Sequence, residues 1–350
     1  MQMSVQDVLD SLRMQNGLYV ASPSNTYHYI WIRDNCYIAL SELDGPNHRY
    51  EQTYHALLDI FHKHEWKLTY HSVHKPREVY EYIHPRYDAQ TKEEVWGPWG
   101  NAQNDAIGAF LFGIGEGMRR GLRMLRDESD AKVVSLLIKY LQTVEFWHDA
   151  DNGMWEENRE LHASSIGACT AGLLAIQPYF HVDMSVIKMG LHALFDLLPH
   201  ESALHEYDLA LLSLVYPYRL LPEALSRTIV DAVENQLLRR RGVIRYPGDA
   251  YYNDDGQEAE WCMGLPWLGL CHLLLGNVNK AQDYLHRVHE VMTPEGAIPE
   301  LYLAQQGIAN ENTPLGWANA LYLVLSQLLM KNESTTDGEQ RHRSIHSIRG

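Results

Sequence analysis

The stretch Met154–Glu160, "MWEENRE", places two glutamates directly after a tryptophan in a segment that otherwise reads as the approach to a helix. A carboxyl packed against an indole is desolvated, which raises its pKa and lets it donate a proton near neutral pH. A carboxylate in a more polar setting stays ionised and takes a proton from water. Cleavage of a glycosidic acetal needs both groups, on opposite sides of the bond. Glu156, beside Trp155, is therefore a candidate proton donor, provided the chain supplies a second acid across a sugar-sized hollow.

Four further clusters offer partners, each near the end of an expected helix. "YHYIWIRDNCYIAL" carries Trp31, Arg33 and Asp34, and "WGPWGNAQND" carries Trp96, Trp99, Gln103 and Asp105. "GVIRYPGDAYYN" holds Arg245 and Tyr246, and "GAIPELY" followed by "TPLGWANALYL" holds Glu300, Tyr302 and Trp317. A sugar site wants carboxylate and guanidinium groups for vicinal hydroxyls and aromatic faces for the ring. Each cluster also has a plain structural reading: Asp34 as a helix N-cap, and Trp96 and Trp99 as core.

The elements that must carry these groups are helical. Apolar residues recur at helical spacing in "YEQTYHALLDIFHKH", "AKVVSLLIKYLQTVEFW" and "EALSRTIVDAVENQLL", among others, whereas strand-like alternation is scarce. The pattern predicts about twelve helices, starting near residues 4, 33, 48, 101, 129, 163, 184, 206, 222, 259, 277 and 315. An even set of antiparallel pairs is what a closed double ring of helices requires. Turn chemistry at "DGPNH", "DADNG", "LPHES", "YPGD" and "TPEG" separates them, and none of these has the character of an interdomain linker. Residues 66–100 lack helical periodicity and are rich in aromatics, Pro and Gly, which predicts a long functional loop. The polar stretch 332–350 is expected to fray.

Composition narrows the function classes. The 350-residue chain has a net charge of −16, which argues against nucleic acid and anionic membrane surfaces as partners. Its aromatics are 9 Trp and 21 Tyr against 6 Phe, a bias toward rings with a polar handle. The N-terminus lacks the basic start and apolar run of a secretory signal, and the four dispersed cysteines suit a reducing compartment, so the expected location is the cytoplasm. There is no CxxC, HExxH, phosphate-cradling loop or G-x-S-x-G elbow, so neither a metal nor another cofactor is expected.

Taken in order, the clusters resemble glycoside hydrolase family 15, the glucoamylases, and the related N-terminal domains of phosphorylase kinase regulatory subunits. The resemblance runs from about residue 17 to 330: "WIRD" at 31–34, "WGNAQND" at 99–105, "WEE" at 155–157, "RYPGDAYYN" at 245–253 with "PW" at 266–267, "PELY" at 299–302 and "LGWANAL" at 315–321. "HPRYDAQTKEEV" is closer to the phosphorylase-kinase-like branch. The resemblance implies an all-α (α/α)6 barrel over residues 1–331 and inverting release of glucose from the non-reducing end of an α-glucoside. Carried onto this chain, Glu156 becomes the general acid and Glu300 the general base. Arg33 and Asp34 would clamp the terminal sugar and Arg245 would help hold it. Trp99 would back the oxocarbenium-like transition state, and Glu157 would contact the neighbouring sugar. Trp31, Gln103, Asp105, Trp155, Tyr246, Trp267, Tyr302 and Trp317 complete the expected binding set.

The chain departs from the family in two ways. Neither an N-terminal β-sandwich nor a starch-binding module fits in this length, which points to a small α-linked gluco-oligosaccharide or disaccharide as the partner. The insertion "DDGQEAEWCMGL" and the 66–100 segment would reshape the mouth of the pocket. The competing reading is a non-catalytic sugar-sensing or regulatory domain of the phosphorylase-kinase type.

Overall fold

A computed structural model describes residues 3–97 and 99–347, with side chains through residue 333. Two kinds of helix alternate along the chain. One kind buries a single stripe: α1 (Val5–Leu12), α3 (Arg49–Lys63), α6 (Glu128–Val144), α8 (Met184–Leu197), α10 (Glu223–Leu237) and α12 (Val278–Val291). In α12 the buried positions are Ala281, Tyr284, Val288 and Val291, one face at helical spacing. The other kind is enclosed on nearly every side: α2 (Ile32–Ala39), α5 (Asn104–Arg119), α7 (Ala163–Ile176), the short α9 (Leu212–Val215), α11 (Gly264–Leu274) and, over its first turns, α13 (Gly316–Ser347). In α7, "ASSIGACTAGLLAI", every residue from Ala163 through Leu173 is buried.

The enclosed helices close a ring: α2 packs on α5, α5 on α7, α7 on α9, α9 on α11, α11 on α13, and α13 returns to α2. Each has an outer partner, pairing α1 with α13, α3 with α2, α6 with α5, α8 with α7, α10 with α9 and α12 with α11. This is the (α/α)6 barrel. Because inner and outer helices alternate in sequence, all six inner helices run the same way and their N-termini meet at one end.

Small residues set the tightest inner contact. A Cβ on Gly108 of α5 would lie 2.4 Å from the backbone of Ala168 and Cys169 in α7, and one on Gly172 would lie 2.4 Å from the Gly108 carbonyl oxygen. Only glycine lets these two backbones approach so closely.

Two short antiparallel pairs brace the loops at the N-terminal end of the inner ring. β1 (Ile30–Trp31) pairs with β2 (Arg86–Tyr87), setting Trp31 opposite Arg86. β3 (Glu260–Trp261) pairs with β4 (Leu301–Tyr302), setting Trp261 opposite Leu301.

The structure corrects one expectation. Residues 66–100 are not wholly loop, since α4 (Glu65–His71) opens the segment, burying Lys67, Leu68 and His71. The polar stretch after residue 331 continues as α13 to Ser347; it contains Glu, Gln and Arg, which favour helix, and no proline. Residues 348–350 lie outside the described residues. No described helix is long and apolar enough to cross a membrane.

Candidate active site

The loops entering the inner helices bring the chemical groups together. Trp31 ends β1 and N-caps α2, so Arg33 and Asp34 occupy its first turn. Glu156 and Glu157 lie in the loop before α7. Arg245 precedes β3, Glu300 precedes β4, and Trp317 opens α13. Their side chains line one cavity of about 360 Å³, together with Trp99, Trp155, Tyr27, Tyr251 and Trp261. That volume suits a small-molecule site of a few hundred cubic ångströms. The positive ends of the inner-helix dipoles face it, a setting that favours carboxylates.

Glu156 is held in an uncommon geometry. Its backbone is left-handed, with φ of 64°, which is costly for a residue with a side chain and points to a position fixed by its surroundings. Its carboxylate accepts the indole N–H of Trp31 at 2.7 Å and faces the Arg33 guanidinium at 3.4 Å. The indole next to it in sequence does something else: the Trp155 N–H donates to Asp208 at 2.8 Å. The apolar indole contact expected from "WEE" is thus replaced by a polar contact from a different tryptophan.

Arg33 is itself fixed from behind. It donates to Asp105 at 2.8 Å and to the Gln103 side-chain oxygen at 3.1 Å. Burial alone would lower its pKa, but Asp105, Glu156 and Asp34 outweigh that and hold the guanidinium charged. Asp34 experiences the reverse. Burial pushes its carboxyl up to about 7, Arg33 opposes this, and the charges of Glu156 and Glu300 add to it.

Glu300 is the enclosed acid, 1 % exposed. Its backbone carbonyl accepts from Cys262 at 2.9 Å, tying it to the strand pair. One carboxylate oxygen accepts from Asn310 and, at 2.8 Å, from Asn312. Asn312 in turn accepts the Ser24 hydroxyl at 2.6 Å, so the two ends of the fold meet at this carboxylate. Burial pushes Glu300 up to about 7, against hydrogen bonds from Asn310, Asn312 and Tyr27 that favour its charged form. The more desolvated member of the pair is therefore Glu300, where the sequence pointed to Glu156.

Arg245 forms the opposite wall. It makes a two-pronged pair with Asp249 at 2.7 and 2.6 Å and donates to Glu157 at 2.8 Å. Its guanidinium sits 5.0 to 5.7 Å from the ring centroids of Trp155, Tyr246, Tyr251 and Trp261. On the near wall, Arg86 of β2 stacks over Trp99 at 4.4 Å and over Trp31 at 5.5 Å, so the 66–100 segment does shape the mouth.

Ten of the fifteen expected site residues line the cavity: Trp31, Arg33, Asp34, Trp99, Trp155, Glu156, Glu157, Arg245, Glu300 and Trp317. The other five stand behind the wall. Gln103 and Asp105 position Arg33, and the Tyr246 hydroxyl donates to Glu157. Trp267 is core: it is fully buried, donates to the Tyr216 carbonyl and packs on Trp317. Tyr302 points away and donates to the Val291 carbonyl at 2.9 Å. Sequence reasoning missed Tyr27, Tyr251, Trp261, Asp208 and Asn312. Tyr27 and Tyr251 were within quoted clusters or four residues of Trp31, and Trp261 lay in the insertion. For Asp208 and Asn312 no local pattern gave a signal.

Among the described residues no group of three or more His, Cys, Asp or Glu side chains is placed to hold a metal ion. The four cysteines are free and buried.

A double ring of helices around a carboxylate-lined, aromatic-walled hollow defines a glycosidase-type (α/α)6 fold. The chain belongs to the glycosyl hydrolases family 15, whose family model matches residues 2–184. It is similar to a probable phosphorylase b kinase regulatory subunit alpha of Caenorhabditis elegans, 26% identical over 305 residues, 70% of this chain and 25% of that one. It is also similar to an uncharacterized glycosyl hydrolase of Methanocaldococcus jannaschii, 23% identical over 351 residues, 89% of this chain and 52% of that one. The chain thus spans about a quarter and about half of these two curated relatives. Among solved structures, a glycosidase variant in complex with glucose superimposes with a TM-score of 0.79 at 20% identity, covering 93% of this chain and 95% of that one.

Proposed function

We propose that this protein is an inverting, exo-acting α-glucosidase that releases glucose from the non-reducing end of a small α-glucoside. The observation that carries the reading is that Glu156 and Glu300, 144 positions apart in the sequence, line one sugar-sized cavity from two different inner-helix ends. A terminal glucose would lie with its hydroxyls toward Arg33 and Asp34 and its ring against the aromatic wall. Glu156, as general acid, gives a proton to the leaving glycosidic oxygen, and the Trp31 N–H and Arg33 guanidinium that contact it stabilise the carboxylate left behind. Glu300, entering ionised, takes a proton from a water on the opposite face of the ring, and the attack inverts the anomeric carbon. A base that titrates near 7 is well matched to this step, since proton-transfer efficiency peaks when the pKa lies close to the working pH. Solvent then returns the proton from Glu300 to Glu156.

Family membership and the fold shared with a glucose-bound glycosidase support a sugar ligand. We further read residues 1–331 as one catalytic domain and, from the four buried free thiols, the cytoplasm as its location. The kinase regulatory subunit among its relatives favours a second reading, a sugar sensor without turnover. A panel of α-linked gluco-disaccharides followed by NMR tests both: β-glucose as first product supports the inverting enzyme, α-glucose first overturns inversion, and binding without turnover of any member supports the sensor.

A further inference from the structure

The barrel has a second cavity, at the end opposite the carboxylates. It is about 370 Å³ and lies where α2, α5 and α9 finish, lined by Phe112, Glu116, Arg119, Arg120, Tyr218 and Arg219 among others. Phe112 and Tyr218 meet edge to face at 5.1 Å and form an aromatic wall. Three guanidiniums against one carboxylate make this lining cationic on a chain whose net charge is −16.

Two of the arginines are already engaged. Arg119 pairs with Glu116 at 2.7 Å and Arg120 pairs with Asp44. Arg219 has no hydrogen bond or ion pair among the described residues, and its backbone is left-handed, with φ of 52°. A strained residue that presents an unpaired guanidinium at a cavity is an observation a ligand would explain. The competing explanation is electrostatic: helix C-termini attract cations without any ligand.

We propose that this cavity binds a sugar phosphate, with the phosphate against Arg219 and its neighbouring guanidiniums and the sugar ring against the Phe112–Tyr218 wall. Guanidinium groups match phosphate oxygens in two-pronged geometry, and aromatic faces match the apolar face of a pyranose. The volume exceeds what a bare phosphate fills. The two cavities share no lining residue, so the proposal stands independently of the activity proposed above.

Isothermal titration of the full chain with glucose 6-phosphate, inorganic phosphate and glucose tests it. The expected result is binding of glucose 6-phosphate more tightly than phosphate, weakened at least about tenfold in Arg219→Ala and less in Arg219→Lys. Arg219 is exposed, so both variants should melt like the parent, and Glu300→Gln should bind glucose 6-phosphate as the parent does. Absence of binding, binding undiminished in Arg219→Ala, loss of binding in Glu300→Gln, or phosphate binding as tightly as the sugar phosphate would each overturn the proposal.

Discussion

Asn312 donates to the Glu300 carboxylate at 2.8 Å while accepting the Ser24 hydroxyl at 2.6 Å, so the buried acid is oriented by a residue that is itself anchored to the opposite end of the chain. Glu300 is consequently both desolvated and fixed in direction, and several measurable outcomes depend on that combination.

The first concerns pH. As the proposed general base Glu300 must be ionised, so kcat/KM is expected to fall about tenfold per unit as pH drops below about 7. An acid limb in the ordinary carboxylate range would argue against this residue as base.

Stability should move the other way. The folded chain binds the Glu300 proton more tightly than the unfolded chain, whose pKa is near 4.5. This stabilisation is fully present below pH 4.5 and is lost as pH rises through about 7. Glu300→Gln, which cannot ionise, should match the parent at pH 4 and exceed it at pH 8 by an amount on the order of 3 kcal/mol at most. Denaturant unfolding at both pH values reads the difference, and the same variant should lose about 10²- to 10⁴-fold in turnover.

Trp31→Phe deletes the N–H that reaches Glu156 and keeps a ring in place. A hydrogen bond to a charged group contributes about 1.5–3 kcal/mol, so kcat should fall about tenfold or more while the fold persists. Steady-state kinetics with a parallel melt checks this, and an unchanged kcat would remove Trp31 from the machinery.

The contacts of Asp208 predict a positioning role for it. It caps the turn leading into α9 by accepting the Ala210 N–H at 2.7 Å and also accepts the Trp155 indole N–H. Asp208→Ala should raise KM and shift Trp155 fluorescence, with a stability cost of about 1–3 kcal/mol, whereas Asp208→Asn keeps the acceptor and should recover most of both. Equal behaviour of the two variants would refute the role.

Gly108→Ala should destabilise the barrel by about 3 kcal/mol, the upper part of the usual overpacking range, because the atoms its methyl would meet are α7 backbone. Thermal or denaturant unfolding reads it directly.

Much of this was legible in the sequence. The twelve expected helix starts fall within about six residues of observed helices because enclosed and one-striped segments alternate, and periodicity reports that alternation. α4 was missed because its seven residues bury only Lys67, Leu68 and His71 and leave Trp66 and Tyr70 exposed, which hides the period. Arg33, Asp34, Glu156, Arg245 and Glu300 could be singled out because each falls in a recognisable cluster, in the first turn of an inner helix or in the stretch that leads to one. Which carboxyl is enclosed, and which indole touches it, was not legible. Those facts depend on pairings such as Trp31 with Glu156 and Ser24 with Asn312, made between loops far apart in the chain.

Ring closure by α13 against α2 has a consequence for synthesis. Glu300 and Asn312 emerge from the ribosome long after the groups they must face, Asp34 and Glu156. The cavity is therefore incomplete in a nascent polypeptide until α13 docks, and any truncation that removes this helix should leave an open, sticky horseshoe in place of a closed ring.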